Sequence, residues 1–169
     1  MSSDPLSDPV SDPSSDPALD GLTPLVHGAR NRCFGCGQAN PAGLKLEFAK
    51  SPQGAVLSNA IISDQYEGPP GCVHGGIIAT MLDEAMSKAN RVRGVTAMTR
   101  QMQVEYLSPV PSGAPIRIEG RVTRSEGRKH WAEATIQAEN GTFLARATAL
   151  FITVPASLRG NSSPSSSGS

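Results

Sequence analysis

Gly68-Pro69-Pro70-Gly71-Cys72-Val73-His74-Gly75-Gly76 runs into Ile77-Ile78-Ala79-Thr80-Met81-Leu82-Asp83-Glu84-Ala85-Met86, so that a glycine- and proline-rich turn opens directly into an apolar segment. Ile77, Ile78, Met81, Leu82, Ala85 and Met86 follow the i, i+1, i+4, i+5, i+8, i+9 spacing of one broad helical stripe. The spacing predicts a helix that starts at the glycine pair. Its first N–H groups then lack intrahelical partners, and the aligned peptide dipoles favour negative charge there. Gly75 and Gly76 have no side chain to hold a carbonyl group away from that backbone, and His74 sets a polar ring beside it. At ~100° per residue Asp83 falls just outside the stripe. Glu84 has Lys88 four residues on, the spacing of a helical ion pair, whereas Asp83 has only Ser87. Asp83 is therefore the carboxylate left without a structural explanation.

Working outward, Ile116, Ile118 and Val122 alternate with Arg117, Glu119 and Arg121, and Ala132, Ala134, Ile136 and Ala138 alternate with Glu133, Thr135, Gln137 and Glu139. That is the period of strands with one apolar face. Strands are expected near residues 43–50, 54–62, 95–107, 115–126, 129–139 and 142–153. Gly113 and the Asn140-Gly141 pair supply turns, the latter a strong hairpin signal. One helix and several alternating strands make an α+β domain in which an antiparallel sheet wraps the helix.

The 169 residues, 38% of them hydrophobic, suit one globular domain with polar appendages. Ser-Asp-Pro recurs from Ser3, Ser7, Ser11 and Ser15, a charged, proline-rich period that cannot bury a core. Residues 1–24 are expected to be a disordered arm, 25–155 the folded domain, and 156–169 a disordered Ser/Gly-rich tail. The formal net charge of zero hides an asymmetry: five of the fifteen acids are Asp4, Asp8, Asp12, Asp16 and Asp20, leaving ten against fifteen bases in the remainder. A mildly basic body favours an anionic ligand and is too weak a signal for nucleic acid. No apolar run approaches the length of a membrane span, and the first residues lack a signal-peptide pattern, so a cytoplasmic protein with neither membrane nor nucleic-acid partner is expected.

The three cysteines cannot pair completely, which suits a reducing compartment. Cys33 and Cys36 together with Cys72 and His74 contain the donor types of a tetrahedral zinc site. A single CxxC is a weak signal on its own and His74 is wanted at the helix start, so no metal is expected.

The stretch from Gly68 to Met86, with Asp nine residues after the His of His-Gly-Gly, resembles the hotdog-fold acyl-CoA thioesterases of the PaaI type. Ala97-Met98-Thr99, Val104 to Pro111, Glu126-Gly127-Arg128-Lys129 and Ala147 to Ile152 are similar to the same family, and especially to its thioesterase superfamily member 4 branch. Cys33-Phe34-Gly35-Cys36-Gly37, Asn40-Pro41 and Gly43-Leu44 are also familiar there. The resemblance covers roughly residues 31 to 155. It implies a hotdog fold, hydrolysis of an acyl-CoA substrate without a cofactor, and homodimers that often pair into tetramers with sites shared between subunits. By the same resemblance Gly75 N–H is the oxyanion donor, His74 helps place the thioester, Asp83 is nucleophile or general base, and Thr99 orients water. Gly76, Arg128 and Lys129 become candidate contacts to coenzyme A. Two points depart from this pattern. Strand parity groups Thr99 with Gln101, Gln103 and Glu105, away from Met102, Val104 and Tyr106, and Gly68 stands where many relatives have Asn. A noncatalytic acyl-CoA-binding hotdog protein is the alternative, and Asp83 argues against it.

Spacing adds one requirement of its own. Gly75 and Asp83 lie eight residues apart, ~12 Å along a helix. An oxyanion donor and an attacking group must both come within ~3 Å of one reacting carbonyl. Two antiparallel helices across a two-fold axis meet the requirement by setting Gly75 of one chain against Asp83 of the other.

Overall fold

The computed structural model of the chain describes residues 21–155 and residue 157. The expected arm up to Asp20 and nearly all of the expected tail lie outside the described residues. Seven strands and one long helix follow in the order β1 (Thr23–Pro24), β2 (Ala49–Lys50), β3 (Val56–Ile61), α1 (Gly75–Arg91), β4 (Ala97–Tyr106), β5 (Pro115–Glu126), β6 (Lys129–Ala138) and β7 (Phe143–Thr153). The strands form a single sheet ordered β1-β2-β3-β5-β6-β7-β4, with every neighbouring pair antiparallel. This is the expected α+β hotdog arrangement, a sheet wrapped around one helix.

The inner face of the sheet is built from small residues. Ala132, Ala134, Ala145, Ala147 and Ala149 are all buried, and facing them α1 buries Met81, Leu82 and Met86 completely. Large side chains on the helix thus fill the space that alanines leave on the sheet, and each such burial contributes ~1.5–3 kcal/mol. Gly120 carries this furthest. A Cβ there would stand 2.6 Å from the Ala85 carbonyl carbon and oxygen and 3.0 Å from its Cβ, so the helix backbone rests on bare strand. Ile116 and Ile118 are buried on one side of it, and Val122 packs partly buried on the other.

Five of the expected strands, near 54–62, 95–107, 115–126, 129–139 and 142–153, fall within about two residues of their positions. The strand expected at 43–50 shrinks to Ala49–Lys50. The backbone there serves another purpose: Leu44 N–H donates to Phe34 O at 2.8 Å and Leu46 N–H to Gly35 O at 2.9 Å, and Lys45 takes φ +52°. The Cys33–Gly37 loop thus claims the hydrogen bonds a strand neighbour would have used. A second difference is Thr23–Pro24, which pairs with Lys50 and Ala49 although it falls inside the expected arm.

The two ends of the sheet are unlike. β1 closes one edge with two residues, one of them a proline, whereas β4 leaves ten residues at the other edge with a single neighbour, β7.

Candidate active site

The turn before α1 is held by short-range bonds. Gly68 N–H donates to Cys72 O and Cys72 N–H to Pro69 O, each at 3.0 Å, and Gly71 sits at φ +80°, which other residues rarely adopt. His74 N–H donates to Tyr66 O at 2.9 Å and Val73 N–H to Val110 O at 2.8 Å, so the residue that starts the helix is fixed from both sides.

His74 is the N-cap. Its Nδ1 accepts the Gly76 N–H at 2.9 Å, doing with a ring nitrogen what Ser or Asp oxygens usually do. Acceptance at Nδ1 leaves the proton of the neutral ring on Nε2, which becomes a donor. The Gly76 N–H is occupied by this cap. Ile77 and Ile78 N–H both donate to His74 O. Among the described residues the Gly75 N–H has no acceptor. Tyr106 closes over this end, its hydroxyl donating to Gly75 O at 3.0 Å and its ring 3.6–3.7 Å from where a Gly75 Cβ would be.

Two turns further along α1, Asp83 Oδ1 accepts the Thr99 hydroxyl at 2.5 Å. Parity alone sets Thr99 away from Met102 and Val104, and a bulge reconciles them. Thr99 pairs with Phe151 and Gln101 with Leu150, so Arg100 is the extra residue and the side-chain alternation slips by one. Ala97, Met102 and Val104 then pack against the core, with Thr99 on the same face as its partner, buried Phe151. Strand β4 therefore touches α1 at both points of interest, Tyr106 at the first residue and Thr99 beside Asp83. Half-burial pushes the Asp83 carboxyl above its ordinary value, the Thr99 hydroxyl pulls it back, and the neighbouring Glu84 charge pushes it up again.

The other expected residues sit nearby in the ladder. Lys129 pairs with Ile152 on β7, next to the Phe151–Thr99 pair, and Arg128 Nη2 donates to Thr153 O at 3.1 Å. Both bases are exposed at the same sheet end as Thr99, two strand spacings or ~10 Å away. Cys72 and His74 stay in the turn before the helix, apart from Cys33 and Cys36, so the four-residue metal set considered from the sequence does not assemble. Cys33 and Cys36 meet Glu84 instead. Tyr106 went unnoticed as a site residue in the sequence, where its only signal was membership of the inward set Met102, Val104, Tyr106.

Sequence and structure comparisons bear on this geometry. The family described as Thioesterase superfamily matches residues 70–145, from the glycine turn into β7. The acyl-coenzyme A thioesterase THEM4 of Xenopus laevis is 39% identical over 87 residues, which cover 51% of this chain and 39% of that protein. The chain thus spans about two fifths of that relative's length. A crystal structure of a thioesterase superfamily protein superposes with a TM-score of 0.69 at 28% identity, covering 72% of this chain and 60% of the other. A Streptococcus mutans protein crystallised with acetyl CoA reaches a TM-score of 0.61 at 22% identity, covering 64% and 88%. With α1 and β4 inside the matched residues, the chain is similar in sequence to the thioesterase superfamily and in fold to a solved thioesterase superfamily protein.

Proposed function

We propose that the chain hydrolyses an acyl-CoA thioester to a carboxylic acid and free coenzyme A, at two equivalent sites shared across a homodimer. The observation that carries this reading is the 2.5 Å bond from Thr99 to Asp83, a half-buried carboxylate positioned on the same helix whose first N–H, that of Gly75, has no acceptor among the described residues. Resemblance to a named acyl-coenzyme A thioesterase and to a fold relative holding acetyl CoA supports an acyl-CoA as the substrate class.

In this mechanism the thioester carbonyl oxygen accepts from Gly75 N–H of one subunit, where the helix dipole stabilises the developing negative charge. The His74 Nε2–H donor sits beside it and orients the thioester. Asp83 of the other subunit takes a proton from a water that attacks the carbonyl carbon, and the Thr99 hydroxyl holds the carboxylate in line. Collapse of the tetrahedral intermediate expels the coenzyme A thiolate, which takes the proton back from Asp83 and leaves as the thiol, and the acid departs from the acyl half. Arg128 and Lys129 lie at the sheet end by Thr99 and attract the nucleotide phosphates. Gly76 contributes space, its N–H being taken by His74.

The shared site has a specific test. Gly75 is the first helical residue, where proline is tolerated and lacks only an N–H already unused within the helix, and His74 at φ −59°, ψ 139° already has the conformation that a following proline demands. Gly75→Pro therefore removes the proposed donor while keeping the helix. In a thiol-release assay on acyl-CoAs, Gly75→Pro and Asp83→Asn each lose at least about 10²-fold, and Thr99→Ala loses less. Coexpressing the two inactive chains restores one intact site per mixed dimer, about a quarter of native activity for random pairing. Full activity of Asp83→Asn, or no recovery on mixing, would sink the mechanism.

A further inference from the structure

The Cys33–Gly37 loop is built more tightly than a surface connection requires. Gly37 N–H donates to Cys33 O at 2.8 Å, Cys33 N–H to Asn31 Oδ1 at 3.0 Å, and Asn31 Nδ2 to Cys36 Sγ at 3.4 Å. Any Cβ on Gly37 would come within 2.5–2.6 Å of the Cys33 and Asn31 backbone, and any on Gly35 within 2.7 Å of Glu84 Oε2. The loop thus folds back on itself and against α1, presenting two sulfurs to one carboxylate. Cys33 Sγ, Cys36 Sγ and a Glu84 oxygen all lie within 4.8 Å of one another, with Cys33 Sγ 3.5 Å from Glu84 Oε2. Bonds of ~2.0–2.3 Å to a tetrahedral zinc ion set donor atoms ~3.3–3.8 Å apart, so the cluster needs a closing shift of about 1 Å at most.

A fourth donor borders the same cleft, its ring nitrogens standing outside that 4.8 Å cluster, so the segment carrying it must close in to ligate. His27 lines the cleft together with Cys33, Cys36, Glu84 and Lys88, and its Nε2 is buried without a hydrogen-bond partner. A buried ring nitrogen left unpaired is costly, and metal ligation removes that cost.

We propose that Cys33, Cys36, Glu84 and His27 form a structural zinc site joining the stretch just after β1, the cysteine loop and α1. Two thiolates, one carboxylate and a neutral imidazole leave a Zn²⁺ complex with one net negative charge. Lys88, paired with Glu84 at 3.0 Å, supplies the compensating positive charge from outside the ligand set. Four protein donors leave no open position, so the ion ties segments together and takes no part in hydrolysis.

The test uses the full chain, expressed with zinc in the medium, purified under reducing conditions without chelator, and freed of any histidine tag. Elemental analysis gives about one zinc per chain. Cobalt exchanged into the site produces a thiolate-to-metal charge-transfer band and the d–d pattern of a tetrahedral ion. Cys33→Ser and Cys36→Ser abolish both, His27→Ala and Glu84→Gln weaken metal retention against a competing chelator by at least about 10-fold, and Cys72→Ser retains full metal. Readouts on the native chain stand even where a variant fails to fold. Native protein with negligible zinc and no cobalt charge-transfer band overturns the proposal. So does a Cys33–Cys36 disulfide in the freshly isolated metal-free chain, or a metal loss in Cys72→Ser equal to that in Cys36→Ser.

Discussion

Gly120→Ala tests the link between the fold and the candidate site. The new Cβ would meet the Ala85 carbonyl carbon and oxygen at 2.6 Å, against ~3.5–4.0 Å for ordinary carbon contact. Both groups are backbone, so no side-chain rotation relieves the clash and α1 must retreat from β5 by about 1 Å. Overpacking of this kind costs ~1–3 kcal/mol. Loss of glycine's freedom in the unfolded chain returns ~0.4–1 kcal/mol, for a net destabilisation of about 1–2 kcal/mol. Urea unfolding should then show a midpoint lowered by ~0.5–1 M with an unchanged slope. Gly28→Ala, with nothing within 4 Å of the new Cβ, is the control and stays near native. The same retreat pulls Asp83 from Thr99, a bond between α1 and β4 that has no slack at 2.5 Å, so thiol release falls along with stability. A midpoint at or above native, with native turnover, would refute the claim that bare strand at Gly120 sets the helix height.

Two further outcomes follow from other parts of the structure. His74→Ala loses the N-cap and about 1 kcal/mol of stability, whereas His74→Asn recovers the cap but not the Nε2–H donor. Denaturation and turnover should therefore separate in the Asn variant, with native-like stability and kcat/KM down about tenfold, the worth of one neutral hydrogen bond; native turnover would remove His74 from the mechanism. His130 is buried, with its ring nitrogens 3.0 Å from Ser125 Oγ and 2.7 Å from Thr153 Oγ1, and burial, then the Arg93 charge, lower its pKa from 6.5. The unfolded chain binds the proton more readily, so this contribution is fully present above pH 6.5 and is lost as pH falls through the folded value. Unfolding free energies at about pH 7.5 and 5.5 should fall further apart in the native chain than in His130→Gln. Equal acid losses in the two would contradict it.

The helix, its starting residue and the alternating strands were legible because each is a local pattern: a stripe, a glycine pair, a period of two. What escaped depended on distant parts of the chain. Residues 43–48 carry an apolar rhythm, but the Leu44 and Leu46 N–H groups answer to Phe34 and Gly35, a pairing no window centred on Leu44 contains. Glu84 was assigned to its ion pair with Lys88, and that pair exists at 3.0 Å, yet it said nothing about the two sulfurs that also approach the carboxylate. Thr99 is the instructive intermediate. Strict alternation pointed it away from the inward set, and a single inserted residue, Arg100, turned it back towards Asp83. A bulge has no reliable local signature, because it is a property of the register between β4 and β7.

The unequal edges of the sheet carry a consequence for handling the protein. Two residues and a proline make β1 a poor template, but β4 presents ten residues, among them Met98 at 65% and Tyr106 at 55% exposure, whose outward N–H and C=O groups have no neighbouring strand among the described residues. Such an edge recruits other strands indiscriminately unless something covers it. A chain with β4 uncovered is therefore sticky, and storage losses should grow through aggregates nucleated along β4 before the hydrophobic interior ever melts.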